Sequence, residues 1–173
     1  MSLEPLLSAS PLIQMHALAA FLALLIGAVQ LFRKKGDAPH RRLGKVWVAL
    51  MAIVALSSFF IWTIRLWGLF SPIHLISIFT LVMLWRGVRF ARAHNIRMHQ
   101  RTMQFTYLLA LVVTGLFTFL PGRIMNHVAF GPEGATPEKL AIFAGVVVVV
   151  AAAVWLTMRW RRSTRGEAFI TAH

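Results

Sequence analysis

Apolar residues run almost unbroken through five stretches of this chain, and charged residues collect between them. The stretches lie roughly at 11–32, 39–64, 72–92, 97–120 and 139–160. Each approaches or exceeds the ~20 residues a helix needs to cross a hydrocarbon core. Turn signals separate them: Gly36-Asp37-Ala38-Pro39 after the first, and Phe130-Gly131-Pro132-Glu133-Gly134 before the last. Ser10, Asp37, Ser71 and Asn95 stand where helix N-caps are expected, and three of these openings carry a proline at or near the first helical position. The pattern predicts an all-α membrane protein with five transmembrane helices. A four-helix antiparallel core covers about 11–120, and one C-terminal helix is appended at about 139–160. Residues 1–173 form a single integral membrane domain.

Charge gives the spans a direction. Arg33, Lys34, Lys35, Arg41, Arg42 and Lys45 cluster at the first connection. Arg86, Arg89, Arg92, Arg97 and Arg101 cluster at the third, and Arg159, Arg161, Arg162 and Arg165 follow the fifth span. The second and fourth connections hold only Arg65, Arg123 and Lys139 as bases. By the positive-inside rule the N-terminus lies outside and the C-terminus in the cytoplasm, as a multi-pass protein of the bacterial inner membrane. Trp47, Trp85, Trp155 and Trp160 fall near inner span ends, and Trp62 and Trp67 near outer ones, where indole rings settle.

Composition agrees with this class. Of 173 residues, 58% are hydrophobic, and the mean hydropathy is +0.72, more apolar than an ordinary soluble domain. The net charge of +13 flanks spans, so it orients the chain in the bilayer and does not call for nucleic acid. The absence of cysteine excludes disulfides, c-type haem attachment, iron–sulfur clusters and thiol catalysis. Glu4 and the lack of a basic leading segment argue against a cleaved signal peptide.

Histidines carry the main chemical signal. His16, His40, His74 and His99 each sit one to two turns from the start of a span. Alternating spans place His16 and His74 in an outer layer, and His40 and His99 in an inner one. From the 1.5 Å helical rise the layers lie roughly 20–25 Å apart. The positive helix end and the bilayer both favour neutral imidazole, the ligating form. Two histidines on different helices can hold one haem iron axially, with the macrocycle between them. Arg41, Arg42 and Arg101 inside, and Arg65 and Arg123 outside, are the expected propionate partners. His127 and His94 are alternates for His74 and His99. The chance alignment of interfacial, headgroup-bonding histidines is the competing explanation.

Below the histidines, His16, Ala20, Ala23, Gly27 and Gln30 form one stripe, and His40, Gly44, Trp47, Met51 and Ser58 another. His74, Ser77, Leu81 and Trp85 align on the third helix, and His99, Met103, Thr106, Ala110 and Phe117 on the fourth. The small residues accommodate either a close helix neighbour or a flat ligand. All five acids lie in loops or tails, so the spans contain no carboxylate for a proton relay, cation site or general base. Neither HExxH nor GxSxG occurs. Ser10-Pro11 and Ser71-Pro72, each followed by a histidine, and His40-Arg41-Arg42 and His99-Gln100-Arg101 hint at a twofold repeat of helix pairs.

Gln14-Met15-His16 through Gly27-Ala28-Val29-Gln30, the run from His40-Arg41-Arg42 through Gly44 to Trp47-Val48, then His99-Gln100-Arg101-Thr102-Met103 and Arg123, resemble the bacterial predicted membrane proteins of domain of unknown function 2306. The resemblance covers about residues 11–130 and implies a four-helix core but no activity. The alternating histidines also resemble the architecture of ascorbate-type transmembrane cytochromes b. That resemblance implies haem ligation at His16 with His74 and His40 with His99, without a clear ascorbate motif.

These readings converge on a transmembrane b-type cytochrome, with one or two haem b groups, that carries electrons from quinol or a small reductant. Its partners are membrane lipid and a second copy or larger membrane complex. Two alternatives stand beside it. One is a cofactor-free structural or accessory membrane subunit, and the other a metal-handling protein using His40, His94 and His99.

Overall fold

A computed structural model describes residues 2–61, 72–131, 133–142 and 144–145. The elements are helical: α1 (Glu4–Leu7), α2 (Pro11–Phe32), α3 (Ala38–Ser58), α4 (Pro72–Arg92), α5 (Ile96–Thr106), a π-helical segment (Tyr107–Val113), α6 (Thr114–Phe117) and α7 (Ile124–Phe130). No strand occurs among the described residues. The stretch 137–142 opens a further helix. The rest of the expected fifth span, together with Trp62, Arg65, Trp67, Ser71, Trp155, Trp160 and the C-terminal arginines, lies outside the described residues.

Local chemistry sets the helix ends. Asp37 Oδ1 accepts the His40 N–H at 2.7 Å, and Asn95 Oδ1 accepts the Met98 N–H at 3.2 Å, satisfying donors that a helix start leaves unpaired. Ser10 makes no such bond, contrary to the sequence expectation. There the Gln14 side chain fixes the entry to α2 by donating to the carbonyls of Leu7 (2.8 Å) and Ala9 (2.9 Å). At the far end of α2, Lys35 Nζ donates to the Gln30 and Leu31 carbonyls, and Gly36 turns the chain at φ +86°, a conformation a side chain would strain.

Helix α2 packs on α3, α3 on α4, and α4 on α5, and the π-helical segment closes the ring against α2. Cross-contacts give the register. Along α2 and α3, Gln30 meets His40, Ala23 meets Trp47, and His16 meets Ser57; one helix ascends as the other descends. Helices α2 and α4 thus stand across the ring from each other, as do α3 and α5.

Small polar side chains are buried beside the apolar core, and many large apolar side chains face outward. Ser57, Ser58, His74, Ser77, Thr80, Thr102, Thr106 and Asn126 are buried, while Leu18, Phe21, Leu25, Ile53, Leu56, Ile78, Val82 and Leu108 are exposed. Buried hydroxyls are satisfied within their own helices, as Thr80 to Ile76 O and Thr106 to Thr102 O (2.7 and 2.8 Å). Polar groups turned inward and hydrocarbon turned outward are what a lipid solvent selects. Among the described residues two helices are long and apolar enough to cross a membrane, Pro11–Phe32 and Ile73–Arg92, and only 17% of the apolar stretch of the first is buried. A core helix of a soluble protein would be mostly buried.

Of the five expected spans, these two meet the length and hydropathy limits among the described residues. Helix α3 has span length, but His40, Arg41, Arg42 and Lys45 occupy its first two turns. The expected span 97–120 is divided into α5, the π-helical segment and α6, and its opening turns are polar. The i→i+5 spacing of a π turn shifts helical phase. That explains why Phe117, aligned with His99 by simple periodicity, is 42% exposed. Trp85 also leaves its expected stripe: α4 turns inward His74, Ser77, Thr80 and Leu84 instead.

Candidate functional site

The outer layer is organised by three consecutive residues at the end of α3. Ser57 Oγ bonds His16 Nδ1 at 2.8 Å and donates to Val54 O at 3.1 Å. With its hydrogen spent on a carbonyl, the hydroxyl accepts from Nδ1–H. Ser58 Oγ pairs with Ser77 Oγ at 2.5 Å, one turn from His74. Phe59 lies against the buried His74 ring, with centroids 5.7 Å apart. Helix α3 thus touches His16 on α2 from one side and His74 on α4 from the other.

The inner layer is simpler to assign. Gln30 Nε2 donates to the His40 carbonyl at 2.9 Å, and a carbonyl can only accept. That fixes Gln30 Oε1 as the acceptor for His40 Nδ1–H, also at 2.9 Å. His99 Nδ1 lies 2.9 Å from Gly87 O, so it too is a donor. In their neutral forms all three rings, His16, His40 and His99, then carry a free lone pair at Nε2. Protein acceptors holding Nδ1–H are the usual second partner of metal-bound histidine.

Between the layers the bundle is filled. Ala23, Trp47, Met51, Leu84, Tyr107 and Leu111 form its buried core. Trp47 Nε1 donates to Ala23 O at 3.0 Å and Tyr107 OH to Leu24 O at 3.2 Å. The small-residue stripe is used here for close packing: a Cβ on Gly27 would collide with the Tyr107 ring and lie 2.7 Å from Trp47 Nε1. Gly87 is likewise covered by Met103. Trp47, expected near an interface, is 5% exposed. Its place three residues after Gly44 and four before Met51 was the sequence signal for an inward face.

The arginines disperse. Arg41 is exposed and donates to Gly36 O at 2.7 Å, and Arg42 is exposed. Arg101 lines a groove between α4 and α5 with Arg86. Arg123 precedes α7 and lies 4.8 Å over the Phe117 ring. Near the inner loop, burial and then the Arg33 charge lower the pKa of Lys35. The His40 N–H bond holds the Asp37 carboxyl below its ordinary value, with Arg33 adding to the effect at 3.3 Å.

His94 sits exposed at the α4–α5 turn at φ +56°, and His127 is half-buried on α7. Among the described residues no three His, Asp or Glu side chains converge as a metal centre.

Sequence reasoning missed two features. Asn126 is fully buried. It donates to Phe119 O at 2.6 Å and accepts the Ala135 N–H at 3.0 Å, tying the loop after α7 to the bundle. A lone Asn in a loop gave no signal for this. The π-helical segment was likewise unmarked, since Tyr107-Leu108-Leu109-Ala110-Leu111-Val112-Val113 reads as ordinary apolar helix.

No curated protein and no solved structure matches the chain. Residues 13–157 match the family described as Predicted membrane protein (DUF2306), a span that takes in all four histidines, the serines of the α3 end and Gln30. The inward polar groups, the outward hydrocarbon and this match agree, and the chain belongs to that family of predicted membrane proteins.

Proposed function

We propose that this protein is a membrane b-type cytochrome that carries electrons between two histidine layers. His16 and His74 are the ligands of an outer haem b, and His40 and His99 of an inner one. One observation carries the reading. Three of the four imidazoles have Nδ1–H held by a protein acceptor, which leaves Nε2 available in both layers. Each pair also stands on helices opposite one another in the ring, as axial ligands on alternate helices would. Haem, when bound, supplies a one-electron iron couple. The chain's own residues orient the imidazoles and exclude water from the core through Trp47, Met51 and Tyr107; Arg41, Arg42, Arg65, Arg101 and Arg123 are the propionate partners offered by the sequence. Quinol or a small reductant is the donor. The protein spans the inner membrane five times, with its N-terminus outside and its C-terminus inside, alone, as a dimer or within a larger complex.

The test is an absorption spectrum of the purified full-length protein. A sharp Soret band that shifts on reduction is the expected result, and a colourless preparation rejects the proposal. Reporter fusions test the topology: position 36 should report inside and position 134 outside.

A second reading has its own observation. The ring contacts that fill the Gly27 notch make a close-packed bundle that needs no cofactor, as an accessory membrane subunit would have. Colourless, metal-free protein of full thermal stability would favour it. Colourless protein carrying zinc or copper would favour metal handling.

A further inference from the structure

A groove of about 330 Å3 runs between α4 and α5 near their connecting turn, lined by Met83, Arg86, Met98, Arg101, Thr102 and Phe105. Both guanidinium groups are exposed. The chain contains no Asp or Glu between residues 38 and 132, so neither arginine has a carboxylate on its own hairpin. The described residues contain a single ion pair, Arg33 with Asp37. Arg86 lies 5.9 Å over the Phe90 ring and Arg89 4.8 Å over the Trp85 ring, contacts that leave the guanidinium N–H edges open to an anion at headgroup depth. The groove therefore sets two cations and the Thr102 hydroxyl beside the apolar Met83, Met98 and Phe105. Its apolar side continues outward over Phe105 and Leu108, which are 51% and 53% exposed.

We propose that this groove binds the headgroup and upper acyl chains of an anionic phospholipid on the basic side of the membrane. Guanidinium forks suit the oxygens of a phosphodiester, and basic pockets between membrane helices are suited to such headgroups. Met83, Met98 and Phe105 favour a lipid over free phosphate, because a small hydrated ion gains nothing from them. The adaptable thioethers suit chains of variable conformation.

The experiment counts lipids retained by the full-length protein in native mass spectrometry. The protein is exchanged beforehand into phosphatidylcholine bilayers containing a minority of phosphatidylglycerol. The wild type should retain phosphatidylglycerol preferentially. The double variant Arg86→Gln with Arg101→Gln should lose that preference by about thirtyfold. Arg92→Gln with Arg97→Gln removes equal charge outside the groove and should keep it. Met98→Trp, which fills the groove but spares both arginines, should also reduce retention. Equal loss in both charge-removing doubles would show a diffuse surface effect and overturn the proposal. So would a wild type without preference, or displacement of the lipid by inorganic phosphate.

Discussion

The α2–α3 hairpin and the α4–α5 hairpin use one device with different parts. In each, an Asx residue caps the second helix, and a histidine one turn later donates Nδ1–H back to the helix before it. In the first hairpin the cap is Asp37 and the acceptor is the side chain of Gln30; in the second they are Asn95 and the backbone of Gly87. The first hairpin is locked by large rigid rings at Gly27, the second by flexible Met103 at Gly87. A side-chain acceptor can be mutated and an acid can be titrated, whereas a backbone carbonyl and an amide cannot. The two halves should therefore share geometry but differ in what perturbs them.

The largest difference is expected at the glycines. At Gly27 an added Cβ meets the Tyr107 ring and Trp47 Nε1, both held by hydrogen bonds to α2. Gly27→Ala should destabilise by roughly 1–3 kcal/mol or more. Gly87→Ala meets mainly the methyl end of Met103, which can rotate away, so about 1 kcal/mol or less is expected. Gly115→Ala, with nothing within 4 Å, should be neutral or stabilising. Thermal melts of the three variants in one detergent check the order. Equal losses at Gly27 and Gly87 would erase the proposed contrast in rigidity.

Histidine variants sharpen the comparison in the other direction, by layer instead of by hairpin. If the haem proposal holds, His16→Ala and His74→Ala each remove the outer group, and His40→Ala and His99→Ala each remove the inner one. Each single variant then keeps about half the pigment. Pyridine haemochrome content measured per protein checks this. Unchanged content in all four variants would mean that haem, if present, is held elsewhere.

Helix ends and histidine spacing were legible in the sequence because they follow from local chemistry. The limits of α2 and α4 follow their hydrophobic runs, and the Asp37 and Asn95 caps act as their positions predict. Depth and phase were less legible. Trp47 could be an interfacial indole or a core ring by composition alone, and only its packing against Ala23 and Gly27 decides. The π turn at Tyr107–Val113 leaves no mark in an all-apolar run, so periodicity carried past it places Phe117 on the wrong face. Small residues at Gly27 were equally compatible with a ligand or a neighbouring helix until Tyr107 was seen to occupy the space.

Gln30 offers a smaller and more selective perturbation. Gln30→Leu removes the Nδ1 acceptor of His40 and the bond to its carbonyl while keeping an apolar residue on α2. For a haem-bearing protein, loss of such a second partner should weaken the inner site on the order of 10- to 100-fold, leaving the outer site untouched. Haem titration of depleted protein separates the two sites. His99 has no equivalent variant, because its acceptor is the Gly87 carbonyl.

The smallest effect should come from acid, and it should fall on one hairpin alone. The His40 N–H bond, and after it the Arg33 charge, hold the Asp37 carboxyl below its ordinary value. A carboxyl whose pKa is lower folded than unfolded stabilises fully above the unfolded value of about 3.9, and that contribution is lost as pH falls through the folded value. Below that point the cap on α3 weakens, while the Asn95 cap on α5 has nothing to protonate. Amide hydrogen exchange should show the His40 N–H losing protection as pH falls below about 4, after correction for intrinsic exchange rates, with the Met98 N–H unaffected. Asp37→Asn should remove the acid limb while retaining a cap, since asparagine is as good an N-cap as aspartate. Parallel loss at His40 and Met98 would mean that acid loosens the bundle as a whole, and that Asp37 is not its sensitive point.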